Sequence, residues 1–157
     1  MRILAIDPGT TQSAFVDWEN KVCDSGIISN KDIIWKILCI DYDILSIEMI
    51  ASYGMAVGKE VFETCFWIGR FFERGTQGEG GSINLIYRKD IKLHFCGTPR
   101  AKDANVRQAI IDLFGGKEKA IGKKKSPGPL YGVKSHIWAA LAVALYTEDV
   151  LCDSKQE

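Results

Sequence analysis

Five short apolar runs, each followed by polar or turn-forming residues, are typical of β-strands. They are the segments 2–7, 11–18, 21–28, 44–48 and 83–87. Pro8-Gly9 separates the first two runs, and Glu19-Asn20 separates the second from the third. Because these residues favour turns, the first three strands are predicted to form an antiparallel meander.

Four other segments place their apolar residues three or four positions apart, which predicts helices. They are 31–40, 58–72, 102–114 and 135–145. Gly115-Gly116 would end the third helix, and Ser135 is a candidate N-cap of the fourth. The glycine-rich segments 75–81 and 115–133 are predicted to be loops, the second of them mobile. This order of elements predicts an α/β fold in which a mixed sheet is covered by helices on both faces.

The composition is that of one globular domain, since 46% of the 157 residues are hydrophobic and 25% are charged. We expect a single domain over residues 1–150 and a flexible tail at 151–157. No apolar run approaches the ~20 residues needed to span a bilayer, and no signal peptide is visible, so we expect a cytosolic protein. The five cysteines form no CxxC pair, which argues against a structural zinc site.

The charges are balanced overall but unevenly distributed. The chain has 20 basic and 20 acidic residues, whereas the segment 88–125 alone holds 11 basic residues and 4 acidic ones. A basic segment in an otherwise acidic chain favours a phosphate-binding surface beside an acidic centre. The alternative is a solvated lysine loop, especially at Lys123, Lys124 and Lys125.

Two carboxylates end predicted strands in the same way. Asp7 closes the first strand and Glu48 closes the run 44–48, so both would lie at one edge of the sheet if these strands are neighbours. Paired carboxylates favour a divalent cation between them or a raised pKa on one of them, and oxygen ligands select Mg²⁺ or Mn²⁺. Each acid alone could also be a surface or turn-capping carboxylate. His136 would join them if the last helix packs against this edge.

Several motifs resemble RuvC-type Holliday-junction resolvases. They are Ile-Asp-Pro-Gly-Thr-Thr at the start, Ser-Ile-Glu ending at Glu48, and Ser-His-x-x-Ala-Ala-Leu-Ala-Val-Ala from Ser135. The segment 91–106 is similar to the same family without a gap, and the segment 102–108 and the glycine-rich loop after Tyr53-Gly54 look more like its phage-encoded branch. The likeness covers nearly the whole chain. It implies a ribonuclease-H-like fold with about five strands, and a homodimer that cuts opposed strands of branched DNA.

The resemblance also implies roles for individual residues. Asp7 and Glu48 would be metal ligands, and His136 falls where the family has Asp or His. Lys92 matches a family lysine near the scissile phosphate. The family usually carries another aspartate where this chain has Ala139, so Asp103 is a further candidate ligand. Alternatively, Asp103 is an acid favoured at a helix start by the helix dipole.

The resemblance places an aromatic side chain at the junction centre, three residues after the middle glutamate. That position is Ala51 here, so either Tyr53 takes this role or no residue does. The expected contacts to the DNA backbone come from the basic segment, namely Lys89, Arg100, Lys102, Arg107, Lys123, Lys124 and Lys125. The aromatic residues of the second helix, Phe62, Phe66, Trp67 and Phe71, exceed what a monomer core needs and favour a dimer.

The expected chemistry is phosphodiester hydrolysis with two Mg²⁺ or Mn²⁺ ions per site. Asp7 would bridge the ions, Glu48 and His136 would be side ligands, and Lys92 would contact the phosphate or transition state. The protein would act in the cytoplasm, that of the host if it is phage-encoded, with no membrane partner and no nucleotide. Two alternatives are a non-catalytic protein that binds DNA junctions, and a phosphate-binding ATPase or sugar-kinase-like lobe whose first loop also reads Asp-x-Gly-Thr-Thr.

Overall fold

The computed structural model describes residues 1–54, 56–78 and 81–153, with the backbone alone at 152 and 153. Its centre is a five-stranded mixed sheet. The strands are β1 (Ile3–Asp7), β2 (Gln12–Trp18), β3 (Val22–Ser29), β4 (Ile44–Met49) and β5 (Ser82–Tyr87). They lie in the order β3-β2-β1-β4-β5, with antiparallel pairing from β3 to β1 and parallel pairing from β1 to β5. The predicted meander and mixed sheet are confirmed.

Helices cover both faces of this sheet. They are α1 (Asn30–Cys39), α2 (Lys59–Thr76), α3 (Arg88–Cys96), α4 (Asp103–Leu113), α5 (Lys117–Ala120) and α6 (Ile137–Asp153). Because successive strand residues point to opposite faces, Leu4 and Ile6 join the core under α1 and α2, whereas Ile3 and Ala5 join the core under α6.

The carboxyl-terminal helix α6 crosses the central strands and is buried along most of its length. Leu141, Val143 and Ala144 are fully buried against the sheet. The Thr147 and Ser46 hydroxyls are hydrogen-bonded to each other at 2.9 Å in the same buried layer, and this bond links α6 to β4. No helix in the described part of the chain is long and apolar enough to cross a membrane.

The end of α2 differs from the sequence prediction. A loop was expected from Gly75, but the helix continues to Thr76 and Gly75 is buried in it. A Cβ on Gly75 would lie 2.6 Å from Leu45 Cδ2 and 2.8 Å from Ile83 Cδ1. An alanine here would require both side chains to move, whereas glycine lets the helix backbone approach the sheet closely. Residues 79 and 80 of the predicted loop lie outside the described residues.

The segment 115–133, predicted to be a mobile loop, contains ordered elements. It includes α5 and a short antiparallel ribbon of β6 (Gly122–Lys123) and β7 (Ser126–Pro127). Ala120 and Leu130 are fully buried, and Leu130 N–H donates to the Ala120 carbonyl. The loop prediction was wrong because it was based on the glycine and lysine content of the segment, and two isolated buried residues such as Ala120 and Leu130 give no periodic apolar pattern.

Two helix predictions also need correction. The helix α3 was not predicted at all, because only Ile91 of its nine residues is fully buried and no apolar stripe is visible. The last helix begins at Ile137 rather than at Ser135, whose φ of +48° is not the extended conformation of an N-cap. It also continues to Asp153, into the predicted tail; residues 154–157 lie outside the described part of the chain.

Candidate active site

The turn after β1 is held by a small polar network. Gly9 N–H donates to Ser13 Oγ at 3.1 Å, the Ser13 hydroxyl donates to Asn30 Oδ1 at 2.6 Å, and the Asn30 amide donates to the Gly9 carbonyl at 2.9 Å. A Cβ on Gly9 would lie 2.3 Å from the Gln12 carbonyl oxygen, so only glycine allows this close turn. The network fixes the direction in which Asp7 leaves the end of β1.

The strand register brings Asp7 and Glu48 to the same edge of the sheet. Ile6 pairs with Ile47 in the parallel β1–β4 ladder, and the two acids follow one residue later. Both side chains are largely buried, with 12% of Asp7 and 9% of Glu48 exposed. The structure thus places the two predicted metal ligands side by side.

Arg88 lies between these acids. It is the first residue of α3, directly after β5. Its Nε donates to Glu48 Oε1 at 2.6 Å and its Nη2 to Glu48 Oε2 at 3.1 Å, while Nη2 also lies 3.9 Å from Asp7 Oδ1. Since one nitrogen contacts both carboxylates, their nearest oxygens can be no farther apart than the sum of 3.1 and 3.9 Å.

The remaining candidates surround the same centre. His136 Nδ1 lies 3.3 Å from Asp7 Oδ2, and the residue sits immediately before α6 rather than inside it. Asp103 begins α4, and its Oδ1 lies 3.1 Å from Arg88 Nη1 and 3.4 Å from Lys92 Nζ. Asp7, Glu48, His136, Lys92 and Asp103 therefore form one connected cluster with Arg88 at its centre.

Burial makes negative charge unfavourable at this edge. It raises the pKa of Glu48 to about 7, an effect that the charge of Asp7 increases and that of Arg88 opposes. Burial also raises the pKa of Asp7, while Arg88 and His136 act in the opposite direction. Partial burial also acts to raise the pKa of Asp103, but Arg88 and Lys92 outweigh it and lower that pKa. Cations therefore stabilise the ionised form of the whole cluster.

Comparison with known proteins gives matches among solved structures alone: no protein-family model and no curated protein matches the chain. Thermus thermophilus RuvC superposes with a TM-score of 0.64 and 15% sequence identity, over 93% of this chain and 92% of that chain. T. thermophilus RuvC in complex with Holliday junction substrate superposes with a TM-score of 0.69 and 16% identity, with the same coverage. The chain has a RuvC-like fold. The predicted ribonuclease-H-like architecture is confirmed, whereas the likeness to the phage-encoded branch stays a prediction.

A cavity of about 240 Å³ opens beside the cluster in this RuvC-like fold. Its lining includes the charged residues Glu48, Arg88 and Asp103, together with Trp138 and Ala139. Ala139 is the position at which the sequence resemblance led us to expect an acid, and the structure has no carboxylate there. The Arg107 guanidinium lies 4.8 Å from the centre of the Trp138 ring, so this predicted DNA contact borders the same cavity.

A second open groove, of about 450 Å³, gathers several of the predicted DNA contacts. It is lined by Tyr53, Arg88, Lys89, Lys92, Pro99 and Arg100. Tyr53 is 66% exposed. Lys102 follows Arg100 by two positions and is the N-cap of α4, directly before Asp103. The groove thus connects a positive surface and an exposed aromatic ring directly to the carboxylate cluster.

Three further lysines lie elsewhere on the fold. Lys123, Lys124 and Lys125 are exposed on the β6–β7 ribbon and the turn between its strands. Among the contacts of the described residues, none joins them to the carboxylate cluster. Their predicted role in binding DNA stays a prediction.

The donor set at the sheet edge suits a hard divalent cation. In the described part of the chain, no three His, Cys, Asp or Glu side chains converge as a ready-made metal site. The Arg88 guanidinium occupies the space between Asp7 and Glu48 and stands in for a cation there. Two carboxylates with an adjacent imidazole are ligands that Mg²⁺ and especially Mn²⁺ accept, so the residues fit such an ion.

Sequence reasoning missed Arg88, although a signal for it exists. Arg88 follows β5 directly, just as Asp7 and Glu48 close β1 and β4. The carboxyl ends of adjacent parallel strands meet at one sheet edge, so the same argument applies to all three residues. Arg88 was instead counted as one charge of the basic segment 88–125.

Proposed function

We propose that this chain is a divalent-metal-dependent endonuclease that nicks branched DNA such as four-way junctions. The observation that carries the proposal is the buried pair Asp7 and Glu48, which share one guanidinium at the edge of a RuvC-like sheet. A RuvC in complex with Holliday junction substrate is among the structures that this chain resembles. We expect the protein to act in the cytoplasm, that of the host if a phage encodes it.

In this proposal Asp7, Glu48 and His136 hold the Mg²⁺ or Mn²⁺, with Asp7 as the residue that would bridge two ions. When bound, such ions lower the pKa of a water nucleophile and stabilise the leaving oxygen. Asp103, at the start of α4, lines the same cavity as Ala139, the position that lacks the expected carboxylate. Its contact with Lys92 supports a role beside the ligands rather than remote from them.

Lys92 would contact the phosphate that is cleaved. Its side chain is 20% exposed and lines both the cavity and the open groove, so a phosphate entering from the groove meets its ammonium group next to the carboxylates. A fixed positive charge at that point stabilises negative charge that develops on the phosphate oxygens.

The DNA backbone would follow the basic surface beside the site. Tyr53 is the aromatic candidate for the junction centre, because it is exposed on the wall of the groove. The proposed phosphate contacts are Lys89, Arg100, Lys102, Arg107, Lys123, Lys124 and Lys125. Contacts of this kind bind DNA with a strong dependence on salt and with little sequence preference.

We also propose a homodimer, because two opposed strands need two active sites. Of the aromatic residues on α2, Phe71 is fully buried and Trp67 packs against it, so these two belong to the monomer core. Phe62 and Phe66 are exposed on α2 and Trp35 is exposed on α1, and a second copy would cover such apolar side chains.

The substitution Asp7→Asn tests the proposed role of the carboxylate pair. We expect the variant to bind a labelled four-way junction with unchanged affinity and to lose Mg²⁺-dependent nicking by about a thousandfold, or about 4 kcal/mol of barrier. The matched control is Asp41→Asn, which removes an exposed acid just before β4, at the opposite end of that strand.

Nicking of the junction by Asp7→Asn at the wild-type rate would reject the assignment. A wild-type protein that binds the junction and never nicks it, in Mg²⁺ or Mn²⁺, would favour a non-catalytic junction-binding protein. The missing carboxylate at Ala139 is the specific observation in favour of that second function.

A further inference from the structure

One guanidinium contacts three acids at the proposed active site. Arg88 makes a two-pronged contact with Glu48, at 2.6 and 3.1 Å, and a third contact with Asp103 at 3.1 Å. Its Nη2 lies 3.9 Å from Asp7. The two acids proposed as metal ligands are therefore already in contact with a cation that belongs to the chain itself.

The contact with Glu48 uses both carboxylate oxygens. A guanidinium remains protonated at any physiological pH and matches a carboxylate with two parallel N–H donors. Buried carboxylates need a compensating charge, and Asp7 and Glu48 are both nearly buried. Arg88 provides that charge through its contacts with both acids.

A divalent ion could not use the same oxygens at the same time. Mg²⁺ binds oxygen at about 2.0–2.1 Å in a strict octahedral arrangement, and an adjacent guanidinium would block these positions and repel the ion. This is consistent with the finding that no three ligand side chains in the described residues converge on one point.

We propose that Arg88 is the resident cation of the metal-free site, and that its guanidinium must leave Asp7 and Glu48 before a divalent ion binds them. The inference rests on the proposed function, because it assumes that these two acids are the metal ligands. It assigns to Arg88 the control of metal loading, a role distinct from those of the proposed ligands.

The surroundings of Arg88 allow its side chain to move away from the two acids. Its side chain is 37% exposed and lines the open groove as well as the cavity, so its departure leaves the hydrophobic core intact. Asp103 keeps Lys92 as a partner at 3.4 Å when the guanidinium departs. Among the described contacts, Glu48 then has no basic partner and Asp7 keeps the His136 ring at 3.3 Å, and these two are the acids that a divalent ion would neutralise.

The released guanidinium would have a new partner in the groove. Lys89 and Arg100 line the same groove, where the proposed function places the DNA backbone. Arginine binds phosphate with two charge-assisted hydrogen bonds, much as it binds a carboxylate. A backbone phosphate can therefore take over the contact that Glu48 gives up.

Binding of Mn²⁺ in the absence of DNA tests the inference. We would titrate Mn²⁺ into wild type, Arg88→Gln and Arg88→Lys at pH 8 and follow the free ion by electron paramagnetic resonance. Since a neighbouring guanidinium changes proton binding by a carboxylate tenfold or more, we expect Arg88→Gln to bind Mn²⁺ about tenfold more tightly than wild type. Arg88→Lys keeps the charge without the two-pronged geometry and should fall between them.

Lys89→Gln is the matched control, since it removes the same charge from the next residue, which is exposed. We expect its Mn²⁺ affinity to equal that of wild type. Thermal unfolding in EDTA supplies a second readout: Arg88→Gln should unfold at a lower temperature than wild type, and added Mn²⁺ should raise its unfolding temperature more than it raises that of wild type.

If Arg88→Gln binds Mn²⁺ no more tightly than wild type does, and Arg88→Lys binds it with the affinity of wild type, the inference is overturned. The proposal of a metal-dependent nuclease is then unaffected. An equal gain in Lys89→Gln would overturn it too, because the effect would then be one of net charge. Failure of every variant and of wild type to bind Mn²⁺ would overturn both this inference and the proposed metal dependence.

Discussion

The carboxyl group of Glu48 is buried at a sheet edge where its ionised form is unfavourable. Burial raises its pKa from the usual 4.5 to about 7. Between these pH values the folded chain holds a proton that the unfolded chain has released. The stability that this proton contributes is therefore fully present below about pH 4.5 and is lost as the pH rises through about 7.

We predict that Glu48→Gln, which keeps the shape of the protonated side chain, stabilises the metal-free protein at pH 8. Denaturant unfolding in EDTA should show a free energy of unfolding about 1 kcal/mol or more above that of wild type, and a much smaller difference at pH 4.5. Glu60→Gln, at an exposed position on α2, is the control. A less stable Glu48→Gln at pH 8 would show that the ion pair with Arg88 outweighs the cost of burial.

The sequence was sufficient to pair Asp7 with Glu48, because the ends of parallel strands share an edge. It also associated His136 with this centre, and the structure places its ring within 3.3 Å of Asp7. Arg88 directly follows the predicted strand 83–87, so the same argument could have placed it at this edge, but it was counted as one charge of the basic segment 88–125. The helix α3 itself was missed because a helix with a single buried residue leaves no periodic apolar pattern in the sequence.

Among the elements with a sustained apolar pattern, most were predicted to within a few residues, whereas the last helix continues well past its predicted end at 145, to Asp153. The helix α2 was ended too early because Gly75 looks like a helix stop. In the structure this glycine permits contact between the helix and the side chains of Leu45 and Ile83. The ribbon and α5 were missed because their packing depends on single residues such as Ala120 and Leu130.

We predict that Gly75→Ala and Gly69→Ala have opposite effects on stability, although both lie in α2. At Gly75 the added methyl meets Leu45 and Ile83 at less than 3 Å, so overpacking should outweigh the gain in helix propensity and cost about 1–2 kcal/mol. At Gly69 nothing lies within 4 Å, so alanine should stabilise by about 0.5–1 kcal/mol. Denaturant unfolding measures both, and equal effects would show that Gly75 is not required by packing.

At the scale of the whole molecule, the zero net charge conceals a separation of charge. The basic groove lined by Lys89, Lys92 and Arg100 opens directly onto the buried acids, so a DNA backbone held there would bring a phosphate to Asp7 and Glu48. The exposed Phe62 and Phe66 lie on α2, which packs with α1 on the sheet face opposite α6. A dimer through this face would leave the α6 face of both copies uncovered.

The most direct measurement is the mapping of nicks on a four-way junction with each strand labelled in turn, beside a linear duplex of the same sequence. We predict nicks in two opposed strands of the junction in Mg²⁺, none in EDTA and none in the duplex. Equal cutting of the linear duplex, or cutting of the junction in EDTA, would contradict a metal-dependent junction nuclease centred on Asp7 and Glu48.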